Sequence, residues 1–167
     1  LGLDGWYDFL NLGFRLPIVG ACDFPYTREL GSEITYVWSD KPLTPRTFAQ
    51  KLVEGKSFAT SGPMIFLTVA DKNPGEIIAF PAETDTTLHV QVQVESPLYP
   101  VRYLELIANG RVVKKLYTAK PKVRWEFQHH LRVTKSGWIA ARTYADAGTD
   151  AHTNPIYFYV GKGHPFN

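Results

Sequence analysis

Cysteine occurs once among these 167 residues, at Cys22, and methionine once, at Met64. A single thiol excludes an internal disulfide and every zinc site built from cysteines. It says little about compartment, because secreted proteins without disulfides are common. No apolar run is long enough to cross a bilayer as a helix. Neither sign of charge dominates. Lys and Arg number 18 against 16 Asp and Glu, a net charge of +2, and no basic run forms a patch. Nucleic-acid binding therefore has no electrostatic support. The zincin, nucleophile-elbow, P-loop and dinucleotide-binding signatures are missing. So are internal repeats and low-complexity stretches. The chain opens on Leu1 and shows no signal peptide. It reads as a fragment or a processed product, so that absence carries no information about targeting.

What is present is an ordinary apolar content of 44% with a rather high aromatic content of 14%. The length suits one domain, or a small domain with part of another. Asp4 to Gly13 spaces its apolar residues as a short helix does, with Trp6, Phe9, Leu10 and Gly13 on one face. Asp4 is its expected N-cap and Gly13 its C-cap. Leu16 to Cys22 is a short apolar run, the pattern of a strand buried on both faces, and it stops at Asp23. Pro25 then forces a turn. A polar loop from Thr27 to Glu33 leads to a β-like run at Ile34–Trp38. Thr44 and Pro45 start a second helix, with Phe48, Leu52 and Val53 on one face and Gly55 ending it. Ser57–Thr60 is a short strand, broken by Ser61-Gly62-Pro63.

After residue 62 the pattern becomes all β. Met64–Ala70, Ile77–Phe80, Tyr103–Ala108, Arg111–Tyr117, Val123–Val133, Trp138–Tyr144 and Pro155–Val160 read as strands. Leu88, Val90, Val92 and Val94 alternate with His89, Gln91, Gln93 and Glu95, one wall buried and one wet. Asn109-Gly110 is a strong hairpin signal. The fold expected is α+β. Residues 1–62 form an incomplete β/α piece, residues 63–161 an antiparallel immunoglobulin-like sandwich, and residues 162–167 a tail.

Two residues stand out as site candidates. Asp23 lies just past the end of a buried apolar run, where α/β folds place active-face groups. Either it ligates a metal ion, or it caps a turn. His152 sits in Ala151-His152-Thr153-Asn154-Pro155, a His, a hydroxyl and an amide together at a strand entrance. Either this loop satisfies its own backbone, or it packs on residues 1–62 as a polar seam. His89, His129 and His130 read as surface residues, and His164 belongs to the tail.

Gly20-Ala21-Cys22-Asp23-Phe24-Pro25, Ile34-Thr35-Tyr36-Val37, Leu43-Thr44-Pro45, Lys56-Ser57-Phe58-Ala59-Thr60-Ser61-Gly62-Pro63 and Ala151-His152-Thr153-Asn154-Pro155-Ile156-Tyr157 follow one another in that order. In these stretches the chain resembles the C-terminal part of metal-dependent hydrolases of the carbaryl hydrolase (CehA/McbA) type, in the PHP superfamily. The resemblance implies a distorted β/α barrel with a multinuclear metal site, followed by a β-sandwich. It implies that Asp23 is a metal ligand, for zinc or manganese, and that the other ligands precede residue 1. Pro25 stands where the family's motif has His, which departs from the pattern. The activity implied for the whole protein is hydrolysis of an ester, carbamate or phosphoester of a small molecule. The fragment alone would be inactive and without a cofactor. The resemblance favours an extracytoplasmic or periplasmic location. The competing reading is a non-catalytic β-sandwich that binds carbohydrate or a protein partner.

Overall fold

The computed structural model describes residues 3–26 and 28–161. Thr27, at the start of the polar loop, and the tail with His164 lie outside the described residues. Along the chain run α1 (Asp4–Asn11), β1 (Ile34–Val37), α2 (Pro45–Val53), β2 (Ser57–Thr60), β3 (Met64–Val69), β4 (Ile77–Phe80) and β5 (Thr86–Glu95). There follow β6 (Val101–Ala108), β7 (Arg111–Lys122), β8 (Arg124–Val133), β9 (Gly137–Ala145), β10 (Asp150–Thr153) and β11 (Ile156–Val160). They build two facing sheets. The smaller has three strands, β3-β5-β8. The larger has eight and is organised on β9, which pairs along one edge with β6, and β6 with β7. Its other edge is shared: Arg142–Tyr144 pair with β10, and Gly137–Ile139 with β11. β10 leads on to β2 and β1, and β11 to β4.

Period-two patterning explains the core. Leu88, Val90, Val92 and Val94 of β5 are buried, facing Leu104, Leu106, Ile139, Ala141, Ile156 and Phe158 of the larger sheet. A second cluster lies on the outer face of the larger sheet. There α1 lays Tyr7 and Leu10 over Ile107, Trp138, Ala140 and Tyr157. The helix face is Leu3, Trp6, Tyr7 and Leu10, one step round from the expected one, and Phe9 is exposed. Asp4 makes no cap; Leu3 is the N-cap residue. The other end is a Schellman stop, with Phe14 N–H donating to Phe9 O, Gly13 N–H to Leu10 O, and Gly13 at φ +93°. α2 begins at a capping box formed by Thr44 and Thr47, with Pro45 in its first turn.

The expected β/α piece is not there. β1 and β2 pair antiparallel with each other, and β2 pairs antiparallel with β10, so both belong to the sandwich's larger sheet. Among the described residues the parallel pairing is β11 with β4. The described residues are mostly β with two α-helices, and no remnant of a β/α barrel is evident among them. A β-sandwich is what the structure shows, though not the wholly antiparallel one expected, since β11 pairs with β4 in parallel. The buried strand expected at Leu16–Cys22 is also absent: these residues are irregular, with Leu16 and Val19 exposed. Pro17 has no N–H to give a ladder. Ile18 and Gly20 make their backbone bonds to side chains instead: Ile18 N–H to Asn154 Oδ1 at 2.7 Å and Gly20 N–H to Thr35 Oγ1 at 2.8 Å. Gly20 approaches Ile34 so closely that a Cβ would sit 2.9 Å from the Ile34 carbonyl oxygen.

Candidate functional site

On the outer face of the larger sheet, one row of side chains crosses four strands in register. Lys115 of β7 pairs with Glu105 of β6, Glu105 with Arg142 of β9, and Arg142 with His152 of β10. Lys115 Nζ lies 2.9 Å from Glu105 Oε1, and Arg142 Nε donates to Glu105 Oε2 at 2.7 Å. Burial pushes the Glu105 carboxyl up, but the bonds from Lys115 and Arg142 outweigh it and hold the group below the ordinary carboxylate range.

His152 ends the row, buried under α1. Its Nδ1 is 2.7 Å from Thr153 O, and its Nε2 is 2.7 Å from the Tyr7 hydroxyl. A carbonyl oxygen only accepts, so Nδ1 carries the hydrogen and donates. Nε2 then accepts the Tyr7 O–H. Trp6 stands edge-on to the imidazole at 5.3 Å between ring centroids. Desolvation drives the His152 pKa down to about 4, with Arg142 adding to it against the bond to Thr153. Burial raises the Tyr7 hydroxyl to about 12. Both ring nitrogens are consumed, so the neutral imidazole has no lone pair left for a ligand while Tyr7 stays in place.

His152 lies on a strand rather than in the loop expected there. The loop character begins at Asn154, which is fully buried. Its Oδ1 accepts from Ile18 N–H, and its Nδ2 donates to Ser57 Oγ at 2.8 Å and to Ser57 O at 3.1 Å. One amide thus ties β2 to the irregular segment at 14–22. Asp23 is exposed, at φ +48°, in a turn closed by Tyr26 N–H donating to Asp23 O at 2.9 Å. It shares no bond with His152. Among the described residues no three His, Cys, Asp or Glu side chains converge as metal ligands do. His89 and His130 face each other across β5 and β8, while His129 turns partly inward and is lowered by burial and by Lys114.

Two cavities among the described residues lie away from this row. A cleft of about 550 Å³ is lined by Arg15, Lys51, Glu54, Lys56, Glu76 and Tyr157, among others. Its charges largely answer one another. Lys51 and Lys56 both approach Glu54 Oε2, at 3.3 and 3.5 Å, and Arg15 lies over the Tyr157 ring and donates to Gly75 O at 2.8 Å.

The second cavity, about 180 Å³, is an aromatic groove. It exists because three strands cannot cover eight. At β2 and β1 the opposing layer thins out: Thr60 is buried and Phe58 still packs on the core, but Tyr36 beyond them is exposed. Tyr36 and Phe58 stack there at 5.3 Å, and Phe66 meets Phe58 edge-on at 5.9 Å. Tyr36, Trp38 and Phe66 are 41%, 55% and 44% exposed, and what sets them apart from other exposed apolar side chains is that they border one concave site. Two of the groove's polar side chains are committed elsewhere: Ser57 Oγ accepts from Asn154, and Thr153 Oγ1 accepts from Ala141 N–H at 3.0 Å. None of the aromatics stood out in the sequence. The available signal was the concentration of rings in Tyr36, Trp38, Phe58 and Phe66, on or next to three short strands.

No family model matches the chain, and no curated protein matches it. Solved structures that align with it are small β domains. A fibronectin(III)-like module of Clostridium thermocellum CbhA has 11% identity and a TM-score of 0.40, over 59% of this chain and 100% of that one. Superoxide reductase (neelaredoxin) from Ignicoccus hospitalis has 20% identity and a TM-score of 0.35, over 59% and 81%. The CARDB domain of PF1109 from Pyrococcus furiosus, in complex with di-metal ions, has 13% identity and a TM-score of 0.34, over 60% and 96%. TM-scores this low carry neither a family nor a function. The resemblance to CehA/McbA-type hydrolases is not supported. No PHP or hydrolase model matches, and the β/α architecture it implies is missing from residues 3–62. No helix among the described residues is long and apolar enough to cross a membrane.

Proposed function

We propose that this chain acts as a non-catalytic β-sandwich module that holds a protein partner in the aromatic groove. The observation that carries this reading is the exposed Tyr36 stacked on the partly buried Phe58, flanked by the exposed Trp38 and Phe66. Aromatic anchors in a concave apolar site are what hot spots of protein interfaces consist of. A sugar needs convergent polar groups for its hydroxyls, and two of the groove's polar side chains are already committed within the protein. The polar groups that burial gathers elsewhere, His152, Tyr7, Arg142 and Glu105, serve the sheet and the helix packed on it.

The test is selection of a displayed random-peptide library on the wild-type chain and on Tyr36→Ser, with circular dichroism confirming that both fold. Cello- and chito-oligosaccharides are titrated in parallel and followed at the Trp38 indole N–H. Peptides enriched on the wild type and lost on Tyr36→Ser support the reading. Saccharides that shift the Trp38 signal, or enrichment indifferent to Tyr36, overturn it.

A further inference from the structure

Resting on the reading of the groove as a partner site, we infer that the partner enters as an extended apolar segment and adds to the free edge of β3 as a fourth strand of the smaller sheet. The groove is lined by five consecutive residues of β3, Met64 to Thr68. Successive strand residues point to opposite faces, so a cavity that touches all five lies along the strand's edge and not on either face. β3 pairs with β5, and no strand pairs with its other edge among the described residues.

Ala70 N–H donates to His89 O of β5 at 2.9 Å, while Val69 exchanges bonds of 3.0 and 2.9 Å with Lys72 on the other side. In an antiparallel ladder the direction alternates from residue to residue. Leu67 and Ile65 therefore direct their N–H and C=O groups away from β5, as Val69 does. The Val69–Lys72 turn closes one end of this edge, and Pro63, which has no N–H, closes the other. Two residues' worth of backbone donors and acceptors are left facing the groove, enough to pair a short strand.

The side chains agree. An added strand lies about 4.8 Å from β3 and sends alternate side chains toward the facing sheet. The floor they meet is Tyr36 and Phe58, and Phe58 already packs on the core between the sheets. The fourth strand would thus continue an interface that the fold has built and covers here only in part, with the Phe66 ring on Phe58. The other long edges are protected against pairing. β7 carries Arg111, Lys114, Lys115, Lys120, Pro121 and Lys122, and β8 carries Arg124, Glu126 and Arg132. β3 reads Met-Ile-Phe-Leu-Thr-Val and carries no charge at all.

The experiment uses the whole chain and a blocked seven-residue peptide alternating threonine and valine. Two further peptides carry backbone N-methyl groups, one on its valines and the other on its threonines. Binding is followed at the Trp38 indole and by amide exchange of Ile65 and Leu67. The expected result is saturable binding, slowing of both amides by about tenfold or more, and loss of binding for one N-methylated peptide. If the parent peptide binds in a Tyr36-dependent way but both N-methylated forms bind equally and the amides exchange unchanged, strand addition is refuted while the groove reading stands. If the parent peptide binds wild type no better than Tyr36→Ser, both fail. If the chain alone forms a dimer in sedimentation and slows the same two amides, the occupant is a second copy and the inference is overturned.

Discussion

Mild acid should destabilise this fold through His152. In the folded chain the imidazole is neutral, with a pKa near 4, because burial under α1 leaves no room for the charged form. In the unfolded chain it titrates near the ordinary value of about 6.5. Between those two values the unfolded state binds a proton that the folded state does not, so unfolding takes up a proton. The contribution is complete above about pH 6.5 and is lost as the pH falls toward 4. Each tenfold change in protonation is worth about 1.4 kcal/mol, so the loss is about 2 kcal/mol at pH 5 and about 3 kcal/mol once both states are protonated. Urea melts at pH 8, 7, 6 and 5 read this directly through tryptophan fluorescence, since Trp138 packs on Tyr7 at 5.2 Å and Trp6 on His152 at 5.3 Å. Other groups titrate too, so the quantity to compare is the difference between wild type and His152→Gln. Gln can still accept from Tyr7 and donate to Thr153 but carries no titrating proton. The two should diverge by about 2 kcal/mol between pH 7 and 5. Parallel curves, or a folded-state His152 C–H resonance that titrates near 6.5, would refute the reasoning.

Further outcomes follow from single contacts. Tyr7→Phe leaves His152 Nε2 without its donor and should cost about 1–3 kcal/mol in the same melts at pH 8. Val92→Ala, fully buried, should cost about 1–3 kcal/mol, whereas Gln91→Ala, whose amide reaches only the exposed Glu126 carboxylate, should cost about 0.5 or less. Equal small losses would mean the register of β5 is wrong. Gly75 has φ +85° and its Cβ would meet Glu54 O at 2.0 Å, so Gly75→Ala should abolish a stable fold or cost well over about 2 kcal/mol. Gly148→Ala, at φ +72° in open space, should cost only about 1 kcal/mol. Glu105→Gln should cost about 1–3 kcal/mol by weakening the bonds from Arg142 and Lys115, while Asp85→Asn, in an exposed pair with Arg132, should change nothing measurable.

Local patterning was enough for much of this molecule. Thr44-Pro45 and Gly55 bracket the second helix because capping and left-handed stops are decided within a few residues. The period-two run at Leu88–Val94 specifies which wall of β5 is buried, and Asn109-Gly110, both at positive φ, specifies the hairpin between β6 and β7. Three things were beyond local reach. Leu16–Cys22 has the composition of a buried strand, yet a strand also needs a neighbour with free edge groups, and the side chains of Asn154 and Thr35 took those bonds first. Asp150–Thr153 has the composition of a loop, yet β2 and β9 offer it an edge on each side, and so His152 became a strand residue under a helix more than a hundred positions away. Tyr36 and Phe58 look like core from their own strands. Whether a face is core or surface depends on what lies opposite, and a three-stranded layer facing an eight-stranded one leaves Tyr36 exposed and Phe58 only partly covered.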